Sequence, residues 1–238
     1  MKDEKRNYQE VVNYIKEGLR LGIFQTGGKL PTEREMAAEL NMSRNSVREV
    51  LGTLDNMGIL ECRQGSGNYL KGNLSKGLAE VISVHIMMET LSLSKILQTM
   101  RGLELESFNT IIATHKQDPV VISDMKELCA VIAQDNEHSY EADWAFHSTF
   151  INMIDNPLFD CIVTAFKEAV GERLYNALDP ERRKVLNQCN LKLLEALEKE
   201  DREEGIRTII THFHILEEAA VGLQHMKYDP ELLRRFVS

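Results

Sequence analysis

The sequence predicts a mainly α protein in which an N-terminal winged helix-turn-helix is followed by a C-terminal all-α antiparallel helical bundle. Near the N-terminus, helically spaced apolar residues precede two short runs with strand character. Beyond residue 77, long amphipathic segments alternate with short turns, several of which contain Asp-Pro or Asn-Pro. The 238 residues are enough for two such domains.

The composition is that of an ordinary globular protein, with 43% hydrophobic and 27% charged residues. The first ten residues contain no apolar signal-peptide core, and no apolar run approaches the roughly 18 residues that cross a bilayer. The four cysteines form no CxxC pair, which argues against a disulfide framework or a cysteine zinc site and favours a reducing compartment. We therefore expect a cytoplasmic protein with no membrane contact.

The net charge of −9 is distributed unevenly along the chain. Residues 1–76 carry 12 Lys and Arg against 10 Asp and Glu, a net charge of +2. The remaining residues carry 16 against 27, a net charge of −11. Net charge therefore does not by itself predict a nucleic-acid partner. A prediction of DNA binding has to depend on where individual arginines lie.

Capping signals and spacing define the N-terminal elements. Thr32 is a good N-cap with Glu35 three residues on, which is a capping-box pattern, and Ser43 can cap the next helix. The glycine-rich stretch from Arg63 to Gly67 predicts a hairpin tip. The predicted helices cover 8–21, 32–40 and 43–57, and the strands cover 59–62 and 68–70. These elements form a predicted winged helix-turn-helix domain over residues 1–71.

A polar, glycine-bearing stretch over 72–77 predicts a linker to the second domain, which extends over 78–238. Its predicted helices cover 78–91, 93–116, 119–136, 139–154, 157–177, 180–199 and 202–226, with a short one near 230–236. Short connections between long helices indicate antiparallel neighbours.

The N-terminal domain has the residues expected of a DNA-binding surface. The second helix of a helix-turn-helix presents its N-terminal end to base edges in the major groove. Arg44 and Arg48 are four residues apart and share one face there, so each can form a forked pair of hydrogen bonds to guanine. Arg34 can reach a phosphate, and the glycines of the wing allow close approach to the minor groove. The candidate contacts are Arg34, Ser43, Arg44, Asn45, Ser46, Arg48, Gly65 and Gly67. The alternatives are solvated arginines, or a degenerate winged helix that contacts proteins.

Three segments of this domain resemble the GntR superfamily of bacterial regulators. They are Gly-Lys-Leu-Pro-Thr-Glu-Arg-Glu (28–35), Ser-Arg-Asn-Ser-Val-Arg-Glu-Val-Leu (43–51) and Arg-Gln-Gly-Ser-Gly-Asn-Tyr-Leu (63–70). The resemblance implies that a homodimer binds a short palindromic operator in double-stranded DNA, with Arg34, Arg44, Arg48 and Gly67 at contact positions. Asn45-Ser46 stands where Thr-Pro is common in the family.

In the second domain, three predicted helices each place polar groups on an apolar face. Asp143 and His147 lie four residues apart on one helix, Asn190 lies on a second, and His212 on a third. Buried groups of this kind need partners, and a divalent cation such as zinc, nickel, manganese or iron would satisfy them. The alternative is a hydrogen-bonded Asp–His pair and an unrelated core histidine. His214 is a rival ligand whose face is polar, so we expect it to face water.

Arg101 is a further inward-facing candidate, on the same predicted face as Leu97 and Phe108. A buried arginine can bind a carboxylate through two parallel hydrogen bonds, which would suit an acidic effector. The alternative is a structural pair between Arg101 and Glu104, one turn further along the helix.

Asp-Trp-Ala-Phe-His (143–147) and Leu-Leu-Glu-Ala-Leu-Glu-Lys-Glu-Asp (193–201) resemble the FCD ligand-binding domain of the FadR subfamily. Many such domains hold a metal through an Asp and three His. By this resemblance the Asp corresponds to Asp143, the first His to His147 and the last His to His212. The middle His position holds Asn190, a departure that should weaken zinc binding. The resemblance also implies an organic-acid effector near the metal and Arg101.

Together these features predict a DNA-binding transcription regulator whose operator affinity is controlled by a small carboxylate bound with a divalent metal. The alternative is a winged-helix regulator whose C-terminal bundle only dimerises, or binds a larger acyl ligand without metal. A metal held by Asp143, His147 and His212 could also activate water in an enzyme. We see no additional general base beside them, and we expect no catalysis.

Overall fold

The structure, a computed structural model, describes residues 2–72 and 74–224. The chain forms two compact units that divide between Glu80 and Val81. The short helix predicted near 230–236, and His225, lie outside the described residues.

The N-terminal unit contains three helices and a two-stranded wing. The helices are α1 (Lys2–Arg20), α2 (Glu33–Glu39) and α3 (Arg44–Asn56), and the strands are β1 (Leu60–Arg63) and β2 (Gly67–Leu70). The predicted capping box is confirmed: the Thr32 hydroxyl accepts from the Glu35 backbone N–H, and the Glu35 carboxylate accepts from the Thr32 backbone N–H. Two reciprocal bonds satisfy donors that the first turn leaves unpaired, which fixes where α2 begins.

Apolar residues from every element of this unit pack into one core. The fully buried members include Val11, Met36, Val47, Leu51, Leu54 and Leu60. Val47, Leu51 and Leu54 recur at helical spacing along α3, so the opposite face of that helix is left in solvent. The core therefore fixes the rotation of α3 about its own axis.

The wing is an antiparallel pair in which Leu60 lies opposite Leu70 and Arg63 opposite Gly67. Its tip requires backbone in the left-handed region, because Gly65 has φ +73° and Gly67 has φ +116°. Side chains are strained at such angles, which explains glycine at both positions.

The predicted linker over 72–77 is corrected by the structure. Helix α4 (Leu74–Met87) begins inside that stretch and runs on into the segment predicted to start at residue 78. The glycine interpreted as a flexible element is a packing residue, since a Cβ on Gly77 would lie 2.8 Å from the carbonyl oxygen of Met57. A glycine needed for close approach has the same sequence signature as a glycine needed for a loop.

The C-terminal unit is helical throughout its described part. Its helices are α5 (Leu93–Thr114), α6 (Pro119–Ile132), α7 (Ser139–Asn152), α8 (Pro157–Phe166), α9 (Glu172–Asn176), α10 (Pro180–Glu198) and α11 (Arg202–Gln224). Asp118, Asn156 and Asp179 each cap a helix that has Pro in its first turn, as the Asp-Pro and Asn-Pro turns predict. Helix α11 packs against α5 and α10, and α6 packs against α7 and α10.

The single helix predicted over 157–177 is instead interrupted by a π-helical turn (Lys167–Gly171) between α8 and α9. Gly171 of this turn packs so closely on α7 that a Cβ would lie 2.9 Å from the Trp144 ring and 2.7 Å from the Tyr140 hydroxyl. Such turns are often found at functional sites, and this one forms part of a cavity wall.

Candidate functional site

The exposed face of α3 is the first candidate site, and it carries the residues predicted to contact DNA. Arg44, Asn45 and Arg48 are exposed, and Arg34 of α2 is exposed as well. The side chains of Arg44 and Arg48 retain 60% and 59% of their accessible surface. Their guanidinium groups are therefore free on one side to meet a duplex, while the core holds the helix beneath them.

Ser43 and Ser46 form the N-terminal turn of α3. The Ser43 hydroxyl accepts a hydrogen bond from the Ser46 backbone N–H at 3.0 Å, and the two hydroxyl oxygens lie 2.9 Å apart. Ser43 thus stabilises the start of the helix that bears the arginines. A direct contact of either hydroxyl with DNA stays a prediction.

Glu33, which sequence reasoning did not single out, holds Arg48. The Arg48 Nε donates to Glu33 Oε1 at 2.9 Å and Arg48 Nη2 donates to Oε2 at 2.7 Å, while Arg44 Nη2 lies 3.8 Å from Oε2. The hydrogen bond from Arg48 lowers the pKa of the Glu33 carboxyl, so the carboxylate is charged. Glu33 and Arg48 are 15 positions apart, and only the packing of α2 on α3 brings them together.

The wing contributes Arg63 as a further basic residue of the N-terminal unit. Gly65 is exposed and Gly67 is half-buried. A Cβ on Gly67 would lie 2.8 Å from the Cε of Lys29, so a side chain there would displace that lysine. The Arg63 guanidinium lies over the Tyr69 ring at 4.3 Å and pairs with Glu61 at 3.0 Å.

The second candidate site is a cavity of about 40 Å³ inside the C-terminal unit. Helices α5, α7 and α11 supply its carboxyl and imidazole groups, and the π-helical turn and α9 add Gly171 and Tyr175 to its wall. The carboxyl and imidazole groups belong to Glu104, Asp143, His147 and His212. Three of the four predicted metal ligands therefore line one cavity, and Asn190 contacts the Asp143 carboxylate from α10.

The predicted ligands lie close together. His147 Nε2 is 3.8 Å from Asp143 Oδ1, and the Asn190 side-chain amide donates to the same oxygen at 3.3 Å. The rings of His147 and His212 meet edge to face, with centroids 4.9 Å apart. Burial raises the pKa of the Asp143 carboxyl and lowers the pKa of His212 well below its ordinary value, so His212 is neutral.

Glu104 faces His147 from the opposite side. Its Oε1 lies 2.8 Å from His147 Nδ1, and both side chains are almost fully buried. The contact is close but not aligned as a standard hydrogen bond, and neither atom has another hydrogen-bond partner. Burial lowers the pKa of His147, but the charge of Glu104, its close contact with the ring and the charge of Asp143 together outweigh burial and raise the pKa to about 9. The structural pair proposed between Glu104 and Arg101 is thus wrong, because Glu104 points inward to His147.

Arg101 is not among the residues that line the cavity. Its Nη1 donates to Glu217 Oε1 of α11 at 3.1 Å, and both side chains remain 28% exposed. The preceding residue, Met100, lines the cavity, and successive helical residues are rotated by about 100°. Arg101 therefore faces the neighbouring helix rather than the cavity, and its role as an effector contact stays a prediction.

The other histidines of the described chain lie outside this site. His214 is exposed and lies 3.4 Å from Glu218 Oε1, as its polar helix face predicts. His85, His115 and His138 are also exposed.

The donor chemistry of the cavity suits a transition metal. A carboxylate and two imidazoles are typical ligands, and Asn190 could add an amide oxygen. Among residues 2–72 and 74–224, however, no three His, Cys, Asp or Glu side chains are arranged around a common point that could hold an ion. The side chains are instead paired with one another.

No helix within the described ranges is long and apolar enough to span a membrane.

Comparison with known proteins identifies both parts of the chain. Residues 7–70 match the family model of bacterial regulatory proteins, gntR family, and residues 95–215, just over half of the chain, match the FCD domain. The HTH-type transcriptional regulator YcbG of Bacillus subtilis is 25% identical over 210 residues, which cover 88% of this chain and 85% of the relative. The HTH-type transcriptional repressor NanR of Klebsiella aerogenes is 25% identical over 228 residues, which cover 87% and 83%.

A solved structure of a GntR protein from Streptococcus agalactiae shares the fold, with a TM-score of 0.61 at 16% identity over 90% of this chain and all of that chain. These families and relatives are transcription regulators rather than enzymes, which confirms the expectation of no catalysis. An exposed arginine face on α3, a glycine-tipped wing and a helical unit with a polar cavity are the parts that such a regulator needs. The chain belongs to the GntR family and is a DNA-binding transcription regulator with an FCD effector-binding domain.

Proposed function

We propose that a homodimer of this chain binds a palindromic operator and that a small organic acid, bound with a divalent metal in the FCD cavity, controls the affinity. Each chain presents one recognition helix, which reads one half-site, so a palindrome needs two chains. The observation that carries the effector proposal is that Asp143, His147 and His212 all line one cavity.

Charge balance supports a metal. Two carboxyl groups, those of Glu104 and Asp143, line the cavity together with His147, whose pKa is raised to about 9, and a neutral His212. An anionic effector would be repelled by such a site. A divalent ion would supply the missing positive charge and an open coordination position for a carboxylate.

Four residues of the chain are candidate ligands for the divalent ion. Asp143, His147 and His212 would hold the ion, with Asn190 contributing its amide oxygen once it releases Asp143. Glu104 contacts His147 through Nδ1, which leaves Nε2 directed to the side of Asp143. A carboxylate on the far nitrogen fixes the tautomer and the ring orientation of a ligating histidine.

The size of the cavity favours a small effector over the alternative of a larger acyl ligand. The free volume of the cavity is about 40 Å³, which is small for a long acyl chain. An acyl chain would require the wall formed by the π-helical turn, Leu174 and Leu178 to move away. A short organic acid would require a much smaller displacement of this wall.

A metal-free regulator whose bundle only dimerises is the second candidate. It is favoured by one observation, namely that Asn190 already binds Asp143 and Glu104 already binds His147. Such mutual pairing would satisfy the buried groups without an ion.

Thermal denaturation with a matched pair of histidine variants separates the two candidates. His212 lines the cavity and His214, two residues along α11, is exposed. We expect chelator-treated wild type and His214→Ala to be stabilised by Mn²⁺, Ni²⁺ or Zn²⁺, and His212→Ala to lose the effect. Free metal at 100 times its Kd stabilises by about 2.7 kcal/mol, which corresponds to about 5–10 °C for a domain of this size.

A further rise in Tm with short carboxylic acids, seen only when metal is present, would support the acid effector. An equal response of the two histidine variants to metal would contradict the metal assignment.

A further inference from the structure

The contact between Glu33 and Arg48 uses a specific edge of the guanidinium group. Glu33 accepts from Nε at 2.9 Å and from Nη2 at 2.7 Å, so the side edge of Arg48 is occupied. The guanidinium carries five N–H donors in a rigid fork. The end edge, formed by Nη1 and the second hydrogen of Nη2, is left free. That end edge can still form two parallel hydrogen bonds to guanine O6 and N7.

Glu33 is itself held in place. It is the first residue of α2, directly after the Thr32 cap, and its side chain is only 25% exposed. The helix N-terminus favours a negative charge there. A fixed carboxylate that grips a planar guanidinium on one edge also fixes the plane in which the opposite edge points.

The same carboxylate changes the electrostatics of the recognition face. It lies against Arg48 and within 3.8 Å of Arg44, so it offsets one of the two positive charges that face the duplex. Nonspecific affinity depends on cations that neutralise phosphates, whereas sequence discrimination depends on donors aimed at base edges. A carboxylate in this position weakens nonspecific affinity and strengthens sequence discrimination.

We propose that Glu33 is a specificity-determining positioning residue, which holds Arg48 by its side edge in the DNA complex, aims the end edge at a base and prevents Arg48 from binding a phosphate. This inference rests on DNA reading by α3 and on Arg48 as a base contact. It goes further by assigning to an acidic residue the balance between specific and nonspecific binding.

The test compares Glu33→Gln with Glu49→Gln in the full-length protein. Glu49 is exposed and lies next to Arg48 on α3. It is an acidic residue like Glu33, but within the described part of the chain it forms no hydrogen bond or ion pair with the Arg48 guanidinium. Dissociation constants are measured for an operator selected by the wild type from a random duplex library, and for a scrambled duplex, over a series of salt concentrations.

For Glu33→Gln we expect weaker operator binding and stronger scrambled-duplex binding, so that discrimination falls by about tenfold or more. The salt slope on scrambled DNA should steepen by about 0.9, the value for one additional phosphate contact. Glu33→Asp, which keeps the charge, should restore part of the discrimination. Glu49→Gln should strengthen binding to both duplexes equally.

Other outcomes overturn the proposal. Equal strengthening on both duplexes would make Glu33 a charge offset only, and equal weakening with a lower Tm would make it a structural residue. An Arg48→Ala variant with unchanged discrimination would show instead that Arg48 reads no base, which separates failure of the underlying assignment from failure of the role given to Glu33.

Discussion

Replacing Glu104 with Gln should destabilise the C-terminal unit in a pH-dependent manner. Gln has nearly the same volume, so the packing around α5 is preserved and the main change is the loss of the charge that faces His147 Nδ1. His147 also faces Asp143 from its own helix and His212 from α11. Burial lowers the pKa of His147, and the Glu104 charge is the largest opposing effect.

The magnitude follows from the pKa of His147, which rises from 6.5 to about 9 in the folded protein. At about 1.4 kcal/mol per pKa unit, this shift corresponds to about 3 kcal/mol of stability. Because the folded pKa is raised, the stabilisation is fully present below pH 6.5 and is lost as the pH rises through about 9. Because burial without Glu104 lowers the pKa of His147 below 6.5, the stability gap between wild type and Glu104→Gln should be at least about 3 kcal/mol at pH 6 and should close near pH 9.5.

Urea denaturation at several pH values in the presence of a chelator measures this gap. Glu217→Gln is the control, since Glu217 pairs with Arg101 in a contact that stays 28% exposed. Exposed pairs contribute about 0–1 kcal/mol, so this variant removes a carboxylate of α11 without touching the buried cluster. A gap for Glu104→Gln that is independent of pH would mean that the variant loses packing rather than an ion pair, and the reasoning would be refuted.

Three further predictions concern other parts of the chain. Arg48→Ala should lower operator affinity by about 1–3 kcal/mol and relax specificity at one base pair, as measured by competition with singly substituted operators. Asn190→His should tighten zinc binding in a competition assay with a chromophoric chelator, and an unchanged affinity would count against the cavity as a metal site. Gly205→Ala should destabilise the protein by about 1–3 kcal/mol in urea denaturation, because the new Cβ would lie 1.9 Å from the Phe108 ring, which is fully buried between α5 and α11.

Sequence patterns predicted most of the helices because their signals are local. The Thr32 capping box, the Ser43 cap and the Asp or Asn before Pro at three later helix starts each act within a few residues. The same locality explains the errors. Gly77 was interpreted as part of a linker, and the backbone of Met57 that makes a glycine necessary there lies far away in sequence.

The polar groups of the cavity illustrate a second limit. Helical spacing correctly placed Asp143, His147 and His212 on inward faces, since periodicity reports which side of a helix is buried. It does not report which neighbour a buried group meets. Arg101 and Glu104 both follow the inward face of α5, yet the first pairs with α11 at the surface and the second reaches His147 in the interior.

Two acidic residues whose partners the sequence did not predict, Glu33 and Glu104, contact Arg48 and His147. Glu33 takes the side edge of Arg48 and leaves the end edge free, and Glu104 contacts Nδ1 of His147 and leaves Nε2 directed toward Asp143. In each case a carboxylate from a different helix fixes one edge of a planar group and so determines where its other edge points. A ligand that approaches the free edge meets a donor or acceptor whose orientation is already set, which lowers the entropic cost of recognition. The precision of both candidate sites therefore depends on acidic residues that are not predicted to touch the ligand.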